Sequence, residues 1–233
     1  MTAERDDRTH DTNSFVVGVG SAAVNFGVDE AGKGPVVGSM FVAAVRAPEA
    51  AVPDGVDDSK RLADAERERL ADGLRADDRV EFGVVEVTPE RVDGENMNDL
   101  AVEAHAEAID AVARAGDRGR CDAADVDAAR FGDRVEDRAA TDVAVEATHG
   151  ADADDALVGA ASVLAKSERE RHVETLEERF GDIGSGYPSD PTTRAFLRQY
   201  FAEHGRFPPP TRTSWATCGS IRAEAEQTDI GDF

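Results

Sequence analysis

The chain has 233 residues, with 26 Lys plus Arg against 49 Asp plus Glu, a formal charge of −23 at pH 7. That length can build one hydrophobic core of ordinary size, and 40% hydrophobic with 32% charged residues describes a globular protein with a heavily charged surface. No apolar run approaches the ~18 residues of a membrane span, residues 1–13 lack the basic n-region of a signal peptide, and two distant cysteines, Cys121 and Cys218, exclude a disulfide scaffold and a cysteine-based zinc ribbon. A reducing cytoplasm is the expected compartment. The carboxylates are spread along the whole chain, and only Lys33, Lys60 and Lys166 represent lysine, a pattern expected of a protein adapted to a salty interior.

In chain order, residues 1–25 read as an extension, expected to be flexible. A short strand is predicted over 26–30, then a glycine-rich turn, then an apolar run over 36–45 that returns as the second strand of a hairpin. Residues 63–74 have helical spacing, 80–87 read as a third strand, and 98–115 form an amphipathic helix with Leu100, Ile109 and Val112 inward. Short strands are expected at 120–126 and 143–147. A long helix over 157–180 stops at Gly181; helices follow over 191–204 and after Ser214. Strands first, then strands alternating with helices, imply an α/β core with a helical C-terminal part.

Val28-Asp29-Glu30-Ala31-Gly32-Lys33-Gly34-Pro35 is the strongest local signal. Gly27, Gly32 and Lys33 fit part of a phosphate-binding loop, but Gly34 stands where that loop needs a hydroxyl, and the following residues read as strand rather than helix. Metal chemistry is the alternative. Adjacent carboxylates ending an apolar strand are costly to bury without positive compensation, and hard divalent cations take such oxygen ligands. Neighbouring strand residues point to opposite faces, so Asp29 and Glu30 are expected to converge only if the backbone turns there. Taken alone, in so acidic a protein, the pair reads better as an acidic turn after a strand. The same holds for Asp122-Ala123-Ala124-Asp125-Val126-Asp127 and for His149-Gly150-Ala151-Asp152, where a carboxylate before a helix can simply be a cap. Gly186-Tyr187-Pro188-Ser189-Asp190-Pro191 holds one of only two tyrosines in a stiff loop.

In combination these segments, with Asp58-Ser59-Lys60-Arg61-Leu62 and Ala160-Ala161-Ser162-Val163-Leu164-Ala165-Lys166, resemble ribonuclease HII, the type 2 ribonuclease H family, in its archaeal branch. The resemblance runs from about residue 26 to about 215. It implies an α/β ribonuclease H-like fold with a mixed central sheet flanked by helices: a catalytic core over 26–181, a helical substrate-binding portion over 182–222 and a tail over 223–233. It implies a monomeric, metal-dependent endoribonuclease that cuts the RNA strand of RNA–DNA hybrids and nicks 5′ of ribonucleotides embedded in duplex DNA, leaving 3′-OH and 5′-phosphate. Family carboxylates map onto Asp29, Glu30, Asp122 and Asp152, as ligands of two Mn²⁺ or Mg²⁺ ions. Gly32, Lys33 and Gly34, with Tyr187, map onto the stretch that reads the ribose 2′-hydroxyl, which is the group that distinguishes RNA from DNA. Lys60, Ser162 and Lys166 are expected phosphate contacts. His149 and His172 are not required as general bases.

Gln227-Thr228-Asp229-Ile230-Gly231-Asp232-Phe233 resembles a sliding-clamp-binding box, with Gln227, Ile230 and Phe233 as its anchors. The competing reading of the whole chain is a non-catalytic, clamp-tethered module that binds hybrid duplexes. All four mapped carboxylates are present, which favours the enzyme.

Overall fold

The computed structural model describes residues 25–56 and 62–231, with side chains through residue 227. The expected extension, the motif residues 58–61 including Lys60, and Phe233 lie outside the described residues, as do the side chains of the tail beyond Gln227.

Strands β1 (Asn25–Ala31), β2 (Met40–Arg46) and β3 (Glu81–Val87) form an antiparallel meander. Strands β4 (Arg118–Asp122) and β5 (Ala144–Thr148) add on the other side of β1, both parallel to it. The sheet order is β3-β2-β1-β4-β5, so β1 is central and is where strand direction changes from antiparallel to parallel pairing. Helices α1 (Asp64–Ala76), α2 (Pro89–Gly94), α3 (Met97–Val112), α4 (Ala128–Arg138), α5 (Ala156–Phe180), α6 (Pro191–His204) and α7 (Ala216–Gly231) complete the α/β architecture.

Both faces of the sheet are covered, which explains the uninterrupted apolar run of β2. Phe26, Val28, Met40 and Val42 pack beneath α3 and α4 with Leu100, Ile109 and Phe131. The alternate residues Ala43 and Val45 pack beneath α1 and α5 with Leu70, Leu74 and Leu164. Each large side chain so buried contributes about 2 kcal/mol. A third cluster joins Val36 and Val37 to Ile183, Leu197, Phe207 and Ile221 of the C-terminal portion.

That third cluster accounts for the main departure from the expected strand over 36–45. Only Met40 onward pairs in the sheet. Before it, the amides of Val36 and Val37 donate to the Gly186 carbonyl, and that of Gly38 to Pro210. The strand expected over 120–126 likewise ends at Asp122, because the Ala123 amide turns to the Thr148 carbonyl. Helices α2 and α4 were not foreseen. In α4 only Phe131 and Val135 are large buried apolar residues, four apart among charges, and Asp127 caps the helix by accepting from the Arg130 amide.

Helix α5 is placed by Gly27. A Cβ at that position would lie 2.2 Å from backbone atoms of Leu157 and Val158, so glycine alone lets the helix start rest on β1. Asp155 caps this end, accepting from the amides of Leu157 and Val158. Two residues along the strand is about 6.6 Å, and four or five along the helix about the same. Asp29 is thereby brought level with Ser162.

Candidate active site

Asp29 and Glu30 do not converge through a turn as expected. Both lie within β1, paired with Ala43 and Val42, and the turn begins at Gly32. Alternation therefore sends them to opposite faces. Asp29 is 4% exposed and faces α5, where it is bonded by the Ser162 hydroxyl; Glu30 faces α3, with Oε2 3.5 Å from Nε2 of His105. The Glu30 amide itself donates to Asp29 Oδ1 at 2.7 Å.

The parallel register supplies the third carboxylate. Val28 of β1 pairs with Cys121 of β4, so the following residues, Asp29 and Asp122, are neighbours at the ends of their strands. Asp122 Oδ1 accepts from the Ala151 amide at 3.0 Å. This bond ties β4 to the short 3-10 turn Ala151–Ala153, which follows Gly150 at φ 71° and carries the buried Asp152. The four acids expected from the sequence thus stand on consecutive structural steps: the end of β1, the end of β4 and the turn after β5.

Burial pushes the Asp29 carboxyl up to about 7, helped by the Asp122 charge and opposed by the Ser162 hydrogen bond and the Lys166 ammonium. Burial pushes Glu30 up to about 8, with the Asp29 charge next and Lys33 in opposition. The positive groups present therefore do not neutralise the acids. Among the described residues no three acidic, histidine or cysteine side chains are drawn into a closed metal-ligating set. Yet Glu30 Oε2 is a buried oxygen with no hydrogen-bond partner there. Carboxyls raised by burial and mutual repulsion, one with an orphaned oxygen, fit divalent cations and little else of protein origin.

Beside these acids opens a cleft of about 380 Å³, lined by Glu30, Gly32, Lys33, Gly34, Lys166 and Tyr187 among others. Lys33 reaches across to the Ala124 carbonyl on the loop after Asp122. Tyr187 is 46% exposed, and its ring lies over Gly34, where a Cβ would come within 3.1 Å of Cε1. The structure thus gathers Gly32, Lys33, Gly34 and Tyr187 at one cleft.

Ser162 is placed differently from the phosphate contact expected of it. It is fully buried, bonded to Asp29 and taking the Lys166 ammonium at 2.8 Å, and so supports the carboxylate from behind. His149 meets the Val126 carbonyl and His172 accepts from the Ser39 amide, so neither is aimed at the acids. Gln227 is exposed on α7, whose backbone stays helical to Gly231.

Three residues at the site were missed. His105 occupies an inward position of α3 at helical spacing with Leu100 and Ile109, so a polar residue in that stripe was the available signal. Arg169 is one turn beyond Lys166 on α5 and reaches the carbonyls of Val37 and Ser185. Arg212 is buried behind the Gly32–Gly34 turn, and its only sequence cue is a lone basic residue between a proline run and Trp215.

A model of the family described as Ribonuclease HII matches residues 26–218. The ribonuclease HII of Natronomonas pharaonis is 66% identical over 207 residues, covering 89% of this chain and 98% of that protein. Among solved structures, the ribonuclease H2 from Pyrococcus horikoshii OT3 is similar with a TM-score of 0.81 and 36% identity, over 88% of this chain and 99% of that one. The ribonuclease HII in a PCNA complex from Archaeoglobus fulgidus gives 0.73 and 38%, over 85% and 96%.

Proposed function

This chain belongs to the ribonuclease HII family, and from that premise we propose that Asp29, Glu30, Asp122 and Asp152 are its catalytic carboxylates and hold two divalent cations. The family's activity is endonucleolytic hydrolysis of the RNA strand in RNA–DNA hybrids. The observation that carries the assignment is the placing of Asp29 and Asp122 side by side where β1 changes from antiparallel to parallel pairing, with Glu30 next along the strand and both Asp29 and Glu30 raised by burial.

Two Mg²⁺ or Mn²⁺ ions bound there would activate a water and stabilise the leaving 3′ oxygen of an in-line displacement, giving 3′-OH and 5′-phosphate ends. The chain's own residues do the rest. Ser162 and Lys166 hold Asp29 from behind, and Ala151 holds Asp122 through its amide. Gly32, Lys33 and Gly34 present backbone to the ribose, with Tyr187 packed against Gly34 as the wall for the sugar. This arrangement favours a nick on the 5′ side of a single embedded ribonucleotide as well as cleavage of longer hybrids. Lys60 and Lys166 remain the proposed phosphate contacts.

The catalytic core over 26–181 and the substrate-binding portion over 182–222 are proposed as one packed unit, since Ile183, Leu197, Phe207 and Ile221 share a hydrophobic cluster with Val36, Val37 and Leu176 of the core. Docking to a sliding clamp through Gln227, Ile230 and Phe233 is supported by the Archaeoglobus relative's complex with PCNA. Two buried free cysteines suit a reducing cytoplasm, a monomer suffices for the site, and no helix among the described residues is long and apolar enough to cross a membrane. Relatives from halophilic archaea support adaptation to concentrated salt.

A uniformly labelled RNA–DNA hybrid in concentrated KCl tests the assignment. Cleavage should require Mn²⁺ or Mg²⁺, leave 3′-OH ends, and fall at least ~100-fold in D122N. Undiminished cleavage by D122N, or cleavage in EDTA, would overturn it.

A further inference from the structure

Arg212 is fully buried, and all its hydrogen bonds go to backbone carbonyls of one loop. Its Nη2 donates to Gly32 O at 2.5 Å, its Nη1 to Lys33 O at 2.7 Å, and Nε and Nη2 to Gly38 O at 3.2 and 3.0 Å. The Trp215 ring covers the guanidinium at 5.2 Å. The segment is held in turn by Asp93 at the end of α2, whose carboxylate accepts from the amides and hydroxyls of Thr213 and Ser214 at 2.7–3.0 Å.

Peptide geometry fixes the consequence. In a trans peptide the carbonyl and the next residue's N–H point in opposite directions, and every described peptide bond here is trans. With Gly32 O turned back to Arg212, the Lys33 amide points away from it; with Lys33 O turned back, so does the Gly34 amide. Away from a fully buried guanidinium is toward the cleft and the exposed Gly34. The neighbouring amides are accounted for, since Pro35 has none and those of Val36, Val37 and Gly38 are bonded elsewhere. Among the described residues no partner is found for the amides of Lys33 and Gly34.

We propose that Arg212 is the positioning residue for sugar recognition, aiming and polarising the Lys33 and Gly34 amides so that they bond the ribose 2′-hydroxyl oxygen. The proposal rests on the reading of this turn as the 2′-hydroxyl site. A guanidinium donating to both carbonyls strengthens the donors at the far ends of the same peptide units. Burial, with the Arg169 charge second, pushes the Arg212 pKa down to about 10, so the guanidinium stays protonated at neutral pH. Because the charge is buried, salt screens it far less than it screens surface lysines. That resolves how so acidic a protein recognises a polyanion in concentrated salt: the discriminating positive charge sits behind the backbone.

The test is binding, by fluorescence anisotropy in Ca²⁺ and concentrated KCl, of duplexes differing only in one ribonucleotide. R212K keeps the charge but replaces the planar fork, whose three nitrogens each meet the loop, by a single compact ammonium. Its affinity for the ribonucleotide duplex should fall ~10-fold, while its affinity for the all-DNA duplex stays within about twofold. A merely structural role would weaken both equally, and that result overturns the proposal, as does unchanged preference. Should R212K not fold, D93N, which frees the Thr213–Ser214 anchor, should lose at least ~3-fold in the same ratio, and an unchanged ratio counts against the proposal. Amide shifts in the wild type separate the two levels. If the ribonucleotide moves the Lys33 and Gly34 resonances in wild type and in R212K alike, Arg212 is not the device. If it moves neither in wild type, the recognition site itself is misassigned.

Discussion

Nε2 of His105 stands 3.5 Å from Oε2 of Glu30, both buried and, among the described residues, without a hydrogen-bond partner. His105 Nδ1 faces the Ala101 carbonyl at 2.8 Å, so Nδ1 carries the ring proton and Nε2 a lone pair. Burial keeps the ring neutral, with its pKa lowered to about 4. A protonated Glu30 faces this lone pair with a hydrogen instead of a negative charge, and burial raises its carboxyl to about 8. The metal-free site therefore stores a proton that a cation must displace, and metal affinity should rise with pH through the neutral range.

The same proton has a stability consequence. Glu30 is raised from 4.5 to about 8 in the folded state, so between those values the native protein binds more protons than the unfolded chain. Stability of the metal-free protein then falls as pH rises through that window. Urea unfolding in concentrated KCl with EDTA should find E30Q more stable than wild type by ~2 kcal/mol or more at pH 8, with the difference shrinking toward pH 5. Equal midpoints at pH 8 would show that Glu30 is not strained by its burial.

Ser162 joins the Lys166 ammonium to Asp29 at zero exposure. S162A removes that link with almost no change of volume. Turnover at neutral pH should fall ~10-fold with little change in KM, and part of the loss should return at higher pH, where Asp29 ionises without help. A pH-independent loss confined to KM would instead mark Ser162 as a substrate contact.

Gly27 and Gly73 make opposite predictions. A Cβ on Gly27 meets helix backbone at 2.2 Å, whereas one on Gly73 in α1 meets nothing within 4 Å. G27A should cost ~3 kcal/mol by separating α5 from β1, and G73A should gain about 0.5–1 kcal/mol from helix propensity. Denaturation midpoints distinguish them, and a tolerated G27A would contradict the close packing that sets Ser162 beside Asp29.

G34A crowds Tyr187, the nearest ring carbon being 3.1 Å from the new Cβ. It should leave the unfolding free energy within ~0.5 kcal/mol of wild type while lowering cleavage of ribonucleotide duplexes at least ~10-fold. Retained cleavage would remove Tyr187 from the recognition cleft.

Much of this was written locally in the chain. The β1–β2 hairpin, the stripe of α3 and the α5 boundaries follow from apolar periodicity and from Gly181. Asp29, Glu30, Asp122 and Asp152 came from the combined resemblance to the family, since each acidic motif taken alone read as a turn or a cap. What could not be read was long-range. That 36–38 leave the sheet depends on the carbonyls of Gly186 and Pro210, about 150 residues away or more. Arg212 acts on a turn 179 and 180 residues earlier. His105 gains meaning only once α3 is laid over Glu30. Residues whose partners are sequence neighbours were legible; those defined by what packs across the sheet were not.

The most direct test of the account is cleavage of a DNA duplex carrying one ribonucleotide, in concentrated KCl with Mn²⁺ or Mg²⁺, beside the same duplex with a deoxynucleotide there. A metal-dependent nick on the 5′ side of the ribonucleotide, absent from the control and lost in D29N, is the predicted result. Equal cutting of both duplexes, or none of either by protein shown to be folded, would contradict the carboxylate centre and sugar-reading turn described above.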